Sequence, residues 1–379
     1  MISFSYVITK FLIKKTKTME KKEKIKVHSI WDEAELKKNG FDKFPALWED
    51  GMRTSGEKGT YEWWYMDGHL DDGSTIAVIF YTKPLAEINK PLYPEVEIDY
   101  TAADGSQFNK IFKFPAEEFS ASKEQCDVRI GKNYFRGNLK EYEIFFEDED
   151  EGIKVHLKIT RQTESWRPGN GFSYYGDTGK YVGWVIAVPQ GKVEASYTIN
   201  GKTVKTKGSV YHDHNWGNAP MQELINHWYW SRAEIGPYTA INAYLCCPKA
   251  YDLTEWGNVL LAKDGKILMD NPDCQTFFRS TPHVQPVTGK LVSDVVKFFY
   301  DDQGNGFELT LTKDHNILNQ EMIANKFIRA LGKALQGVDI GYHRMVGKAE
   351  LKIIKNGVVT EKLENDAAVW EMMSFAAPE

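Results

Sequence analysis

The sequence predicts an all-β protein with few helices and enough antiparallel strands for two consecutive barrel or sandwich domains packed against each other. Three observations lead there. Apolar or alternating runs are separated by Asp72-Gly73, Asp104-Gly105, Asn200-Gly201, Asp264-Gly265 and Asn356-Gly357, dipeptides that favour the positive φ of tight hairpin turns. Helical periodicity is scarce. The strand candidates outnumber what one small sandwich or eight-stranded barrel holds.

In chain order, residues 1–40 read as a basic extension followed by a short helix. Residues 1–28 carry eight lysines against two glutamates. The opening apolar run is broken by Lys10 and followed by Lys14 and Lys15 without a small-residue cleavage site, so it is not a secretory signal. Met19 opens a charged run, which makes residues 1–18 a dispensable extension whose charge leaves room for weak membrane-surface contact. Ile30–Lys37 is the short helix. Strands follow at Tyr61–Leu70, Thr75–Thr82, Glu95–Thr101, Tyr134–Leu139, Tyr142–Phe146, Lys154–Thr160, Tyr181–Val188 and Val193–Ile199. The acidic run Glu147–Glu151 is a solvated hairpin tip. A boundary near residue 200, within Pro189–Lys207, separates a domain 41–200 from a domain 201–379. The second domain holds strands Trp228–Glu234, Tyr238–Cys246, Val259–Ala262, Val295–Tyr300, Phe307–Thr312, Lys348–Ile354 and Ala367–Met372, with a helix over Gln320–Leu335.

Composition narrows the partners. The chain is 379 residues with 47 Lys+Arg against 53 Asp+Glu, a net charge of −6, and no basic stripe interleaved with aromatics, which argues against nucleic acid. No run approaches 18 apolar residues, so no transmembrane segment is expected. Cys126, Cys246, Cys247 and Cys274 lack the spacing of a zinc site or a disulfide scaffold, which points to reduced thiols in the cytoplasm. Aromatics reach 13%, with 11 Trp, and an aromatic-lined cavity for a lipophilic small molecule would use them. The oligomeric state is left open.

The densest chemistry is Tyr211-His212-Asp213-His214-Asn215-Trp216-Gly217. On a strand, period-two alternation puts Tyr211, Asp213 and Asn215 on one face and His212, His214 and Trp216 on the other. The first face is a carboxyl between a phenol and an amide. Kept protonated by an apolar cavity, it would protonate an alkene or carbonyl. The second face has H-x-H spacing, compatible with a metal-dependent enzyme if His227 joined it, although Asp213 points away. A purely structural strand end is the third possibility, its polar groups holding a turn. In the cluster Tyr61–Asp67, Trp63 and Tyr65 share one face, Glu62 and Trp64 the other. Trp230 and Arg232 follow in His227–Arg232, with Arg232 placed to pair with Glu62 or Asp213 between the halves or to form a rim ion pair. P-loop, dinucleotide, H-E-x-x-H and G-x-S-x-G signatures are absent from the sequence.

Tyr61–Asp67, Cys126–Leu139, Trp184–Pro189, Tyr211–Gly217, Trp228–Ala233, Gly341–Arg344 and Trp370–Met372 together resemble the lipocalin-like carotenoid 1,2-hydratase and AttH family, which includes fungal Diels–Alderases of polyketide biosynthesis. The resemblance implies two lipocalin-like β domains, a hydrophobic substrate in one barrel or between both, and catalysis without metal or cofactor. It also implies Asp213 as proton donor, Tyr211 beside it to orient the acid or water, Trp184 near the carbocation and Asn215 holding the loop. The chain departs at Val182, where carotenoid hydratases place a histidine two residues before the tryptophan, which turns the expectation away from a carotenoid. The expected activity is hydration or cyclisation of an unsaturated lipophilic molecule by Asp213, Tyr211 and Trp184. Glu62, Trp63, Trp64, Tyr65, His212, His214, Asn215, Trp230 and Arg232 are expected to bind the substrate. A Diels–Alderase-like pericyclase and a non-catalytic carrier of hydrophobic ligands are the alternatives.

Overall fold

The computed structural model of the protein describes residues 26–321 and 338–376. They form two curled antiparallel sheets. The first has 13 strands; its main path runs Gln107–Lys113, Glu95–Thr101, Thr75–Tyr81, Tyr61–Leu70, Lys202–Gly217, Tyr181–Ile199, Ile153–Arg161, Glu141–Asp148, Asn133–Gly137, Asp127–Ile130, Phe119–Ala121. Phe172–Tyr175 and Val27–His28 add to its side. The second has nine strands in the order Lys266–Met269, Glu255–Lys263, Tyr238–Cys246, His227–Ile235, Val358–Ala376, Val338–Lys355, Asn305–Glu321, Leu291–Asp302, Gln275–Val284. The two halves share one topological device: an early long strand pairs with the last strand of its sheet, Tyr61–Leu70 with Lys202–Gly217 and His227–Ile235 with Val358–Ala376.

The expected boundary at residue 200 is corrected. Asn200 and Gly201 both have positive φ and form a hairpin turn inside the first sheet, so strand Lys202–Gly217 belongs there. The change of sheet falls between Gly217 and His227. The two strand candidates on either side of Pro189 are one strand, Tyr181–Ile199, whose register shifts between Val185 and Gly191. That irregularity accommodates a residue without an N–H. The short helix spans Glu33–Lys38, capped by the Asp32 side chain, which accepts from the Glu35 amide at 2.9 Å. Gln320 and Glu321 end a strand rather than begin a helix; residues 322–335 of that expected helix lie outside the described residues. The acidic run does tip a hairpin, between Glu141–Asp148 and Ile153–Arg161.

Alternation then decides where side chains go. One face of each sheet packs its own core, around Trp64, Phe80, Ile144 and Leu157 in the first and Phe298, Leu309, Leu351 and Trp370 in the second. Between the sheets lies a third layer containing Trp166, Trp184, Tyr211 and Trp230. None of the four cysteines is in a disulfide.

Candidate active site

A cavity of about 170 Å³ opens between the sheets. The first sheet contributes Trp63, Tyr65, Trp184, Asp213 and Asn215; the second contributes Trp228, Trp230, Trp256, Asn258 and Glu371. Each comes from every second position of its strand. Trp184 and Asn215 face each other across paired strands, as do Asp213 and Tyr65. Between Val182 and Trp184, Gly183 turns to the other face, where a Cβ would meet the Trp216 ring at 2.0 Å. The missing side chain makes room for that indole.

Asp213 is 7% exposed. Its Oδ2 accepts the Tyr211 hydroxyl at 2.7 Å and the Trp184 indole N–H at 2.8 Å, and its Oδ1 accepts the Asn215 amide at 2.8 Å. Three neutral side chains orient the carboxyl. Burial pushes its pKa up to about 6, against the lowering pull of those hydrogen bonds and of His212. Across the cavity burial also raises Glu371, opposed by Arg344 and Tyr342.

Next to this acid stands a different carboxyl. Asp67 pairs in register with Tyr211, and its carboxylate meets Arg232 at 2.7 Å, Arg344 at 2.8 Å and the Tyr65 hydroxyl at 3.1 Å. Burial pushes its pKa up, but the two guanidiniums outweigh it and hold Asp67 below the usual aspartate range. This ion cluster ties the first sheet to strands His227–Ile235 and Val338–Lys355 of the second.

Of the expected site residues, the structure brings Asp213, Tyr211, Trp184, Asn215, Trp63, Tyr65 and Trp230 together at or beside the cavity. Four are corrected: Glu62, Trp64, His212 and His214 point to the opposite face, into the first sheet's core, because they occupy the alternate positions of the same two strands. There Glu62 accepts His214 Nε2–H at 2.8 Å and the Thr54 amide and hydroxyl at 2.8 and 2.6 Å, while Trp64 stacks on His214 at 4.5 Å. Arg232 is corrected as well, since its partner is Asp67 and not Glu62 or Asp213. His227 sits in the second sheet, bonded to Asn226, away from the H-x-H pair. Sequence reasoning assigned no role to Trp228, Trp256, Asn258 and Glu371. Trp228 was findable, being two residues before Trp230; Trp256 carries no such signal.

Residues 17–316 match the profile of the Diels-Alderase-like family, and the chain belongs to that family. It is 28% identical over 213 residues to a hydroxyneurosporene dehydrogenase of Chlorobaculum tepidum, covering 46% of this chain and 53% of that protein. It is 24% identical over 194 residues to the quinolone epoxide rearrangement protein asqO of Emericella nidulans, covering 48% and 53%. The chain thus matches about half the length of each relative. In fold it resembles kievitone hydratase from Nectria haematococca, with TM-score 0.55, 13% identity, and coverage of 92% of this chain and 96% of that one. Among the described residues, no helix is long and apolar enough to cross a membrane.

Proposed function

We propose that this member of the Diels-Alderase-like family uses Asp213 as a general acid on a lipophilic, unsaturated small molecule, starting a hydration or cyclisation. The observation that carries the reading is a buried carboxyl held by neutral donors in the wall of an aromatic cavity, with a pKa raised to about 6. A carboxyl of that kind keeps a usable fraction of its proton near neutral pH.

The steps follow from the contacts. The proton on Asp213 moves to an alkene carbon or to the oxygen of an epoxide or carbonyl. Cationic character then develops on the substrate, next to the faces of Trp184, Trp63, Trp228 and Trp230, and indole faces stabilise it. The carboxylate left behind keeps its hydrogen bonds from Tyr211, Trp184 and Asn215. In hydration, water adds to the carbon and its proton returns to Asp213; in cyclisation, an internal double bond adds and the cyclised cation gives a proton back to the Asp213 carboxylate. The balance requires no electron donor. The cavity volume is close to the roughly 150 Å³ that encloses benzene in an engineered site, so it fits one ring or isoprene-sized unit, with the rest of a larger substrate directed to the opening.

A second reading rests on Trp230, whose buried indole N–H has no partner among the described residues. A substrate carbonyl would satisfy it, and a polarised carbonyl accelerates a pericyclic closure of a held polyene. The variant Asp213→Asn separates the two. It abolishes turnover and spares affinity under acid catalysis, whereas a pericyclase would keep most of its rate. A carrier would return every member of a lipid panel unaltered.

A further inference from the structure

The two histidines turned away from the cavity have a common destination. His212 and His214 are fully buried, and both rings reach Asp50, which is 1% exposed at the end of the turn Leu47–Asp50. His212 Nδ1 lies 2.8 Å from the Tyr65 carbonyl oxygen. A carbonyl only accepts, so Nδ1 carries a hydrogen, and Nε2 faces Asp50 Oδ2 at 3.3 Å. His214 repeats the pattern: Nε2–H is oriented by Glu62, and Nδ1 faces Asp50 Oδ1 at 3.7 Å. Among the described residues, neither His214 Nδ1 nor Asp50 Oδ1 has a hydrogen-bond partner. Two imidazole nitrogens thus converge on one buried carboxyl, a donor set that a cation would complete.

Cys126, 1% exposed, adds a thiol. One ligand atom each of Asp50, Cys126 and His212 lie within 4.8 Å of one another. Two other contacts occupy the cluster: the Cys126 thiol donates weakly to the Phe135 carbonyl at 3.6 Å, and the Tyr142 hydroxyl donates to Asp50 Oδ2 at 2.5 Å. The geometry points to a buried site for a late first-row divalent cation, zinc(II) by ligand chemistry, with Asp50, Cys126 Sγ and His212 Nε2 as its protein ligands behind the strand that carries Asp213. Imidazole, thiolate and carboxylate together suit zinc, and tetrahedral zinc places its nitrogen and oxygen donors about 3.3–3.5 Å apart. An outward ring N–H held by a carbonyl is what a zinc-ligating histidine needs from its surroundings. The site is structural, with no room for substrate. It pins the Asp50 turn and the segment before Asp127–Ile130 to the strand that carries Asp213.

The test uses the full chain. Protein grown with zinc and purified without chelator is expected to hold one zinc per chain by elemental analysis. Stripped of metal and titrated with cobalt(II), it should take up one equivalent with a thiolate-to-cobalt charge-transfer band, and its Tm should rise with bound metal. Cys126→Ser should abolish the charge-transfer band, His212→Gln should abolish stoichiometric uptake, and Cys274→Ser should leave both intact. Wild-type protein that is folded by circular dichroism yet contains no stoichiometric metal and takes up none overturns the proposal, whatever the variants do. So does a cobalt band that survives in Cys126→Ser.

Discussion

Asp67 and Asp213 are both buried, lie on neighbouring strands of one sheet, and face the same layer between the halves of the molecule. Their surroundings give them opposite chemistry. Asp67 has two guanidiniums against it, stays ionised, and serves as a clamp between the sheets. Asp213 has a phenol, an indole and an amide, all neutral, so desolvation wins and the group holds its proton to about pH 6. Burial alone therefore does not make an acid; the charge of the hydrogen-bonding partners decides. A pair of titratable groups pushed apart in this way marks where proton transfer and structural pairing divide.

The sharpest way to break the comparison is to neutralise each carboxyl in turn. Asp213→Asn should lower turnover by about 10²–10⁴-fold, the range for losing a general acid, with little change in ligand affinity by tryptophan quenching. Asp67→Asn should do the reverse, costing about 3–5 kcal/mol of stability in denaturant titration because Arg232 and Arg344 stay buried without their countercharge. If the two variants gave the same phenotype, the division of roles would be wrong. The pH profile comes next. The active form of Asp213 is protonated, so kcat/KM should fall as pH rises through about 6. Tyr211→Phe removes a hydrogen bond that favours the carboxylate, and the alkaline limb should move to higher pH, by no more than about one unit for a bond of roughly 1 kcal/mol. Smallest is Trp230→Phe. It should weaken a carbonyl-bearing ligand by about two- to tenfold and leave a hydrocarbon ligand unaffected.

Much of this was legible in alternation alone. Tyr61–Leu70, Glu95–Thr101 and Tyr238–Cys246 match the observed strands end to end, because apolar residues there meet turn signals at both ends. Four of the strands that escaped notice, Gln107–Lys113, Phe119–Ala121, Lys266–Met269 and Gln275–Val284, are the ends of the two sheets; Val27–His28, Asp127–Ile130, Phe172–Tyr175 and the central Lys202–Gly217 escaped as well. An edge strand faces solvent more and needs little apolar patterning; Gln275–Val284 has no buried residue. The faces of Tyr211–Gly217 were also predictable from period two, and so was the grouping of Tyr211, Asp213 and Asn215. Which face met the cavity was not, since both are buried and both are lined with aromatics. That choice depends on how the second sheet packs, and it moved Glu62, Trp64, His212 and His214 from the cavity into a core. Arg232 is a similar case. Its partner Asp67 is distant in sequence, and nothing local distinguishes it from Glu62 or Asp213.

The most direct measurement is the titration of the aspartate side-chain carboxyls by ¹³C NMR in the wild-type chain, with Asp213→Asn and Asp67→Asn as assignments. The account predicts that the resonance lost in Asp213→Asn titrates near pH 6, while the one lost in Asp67→Asn is still ionised well below that. A resonance for Asp213 that titrates at or below 3.8, the ordinary aspartate value, would contradict the account.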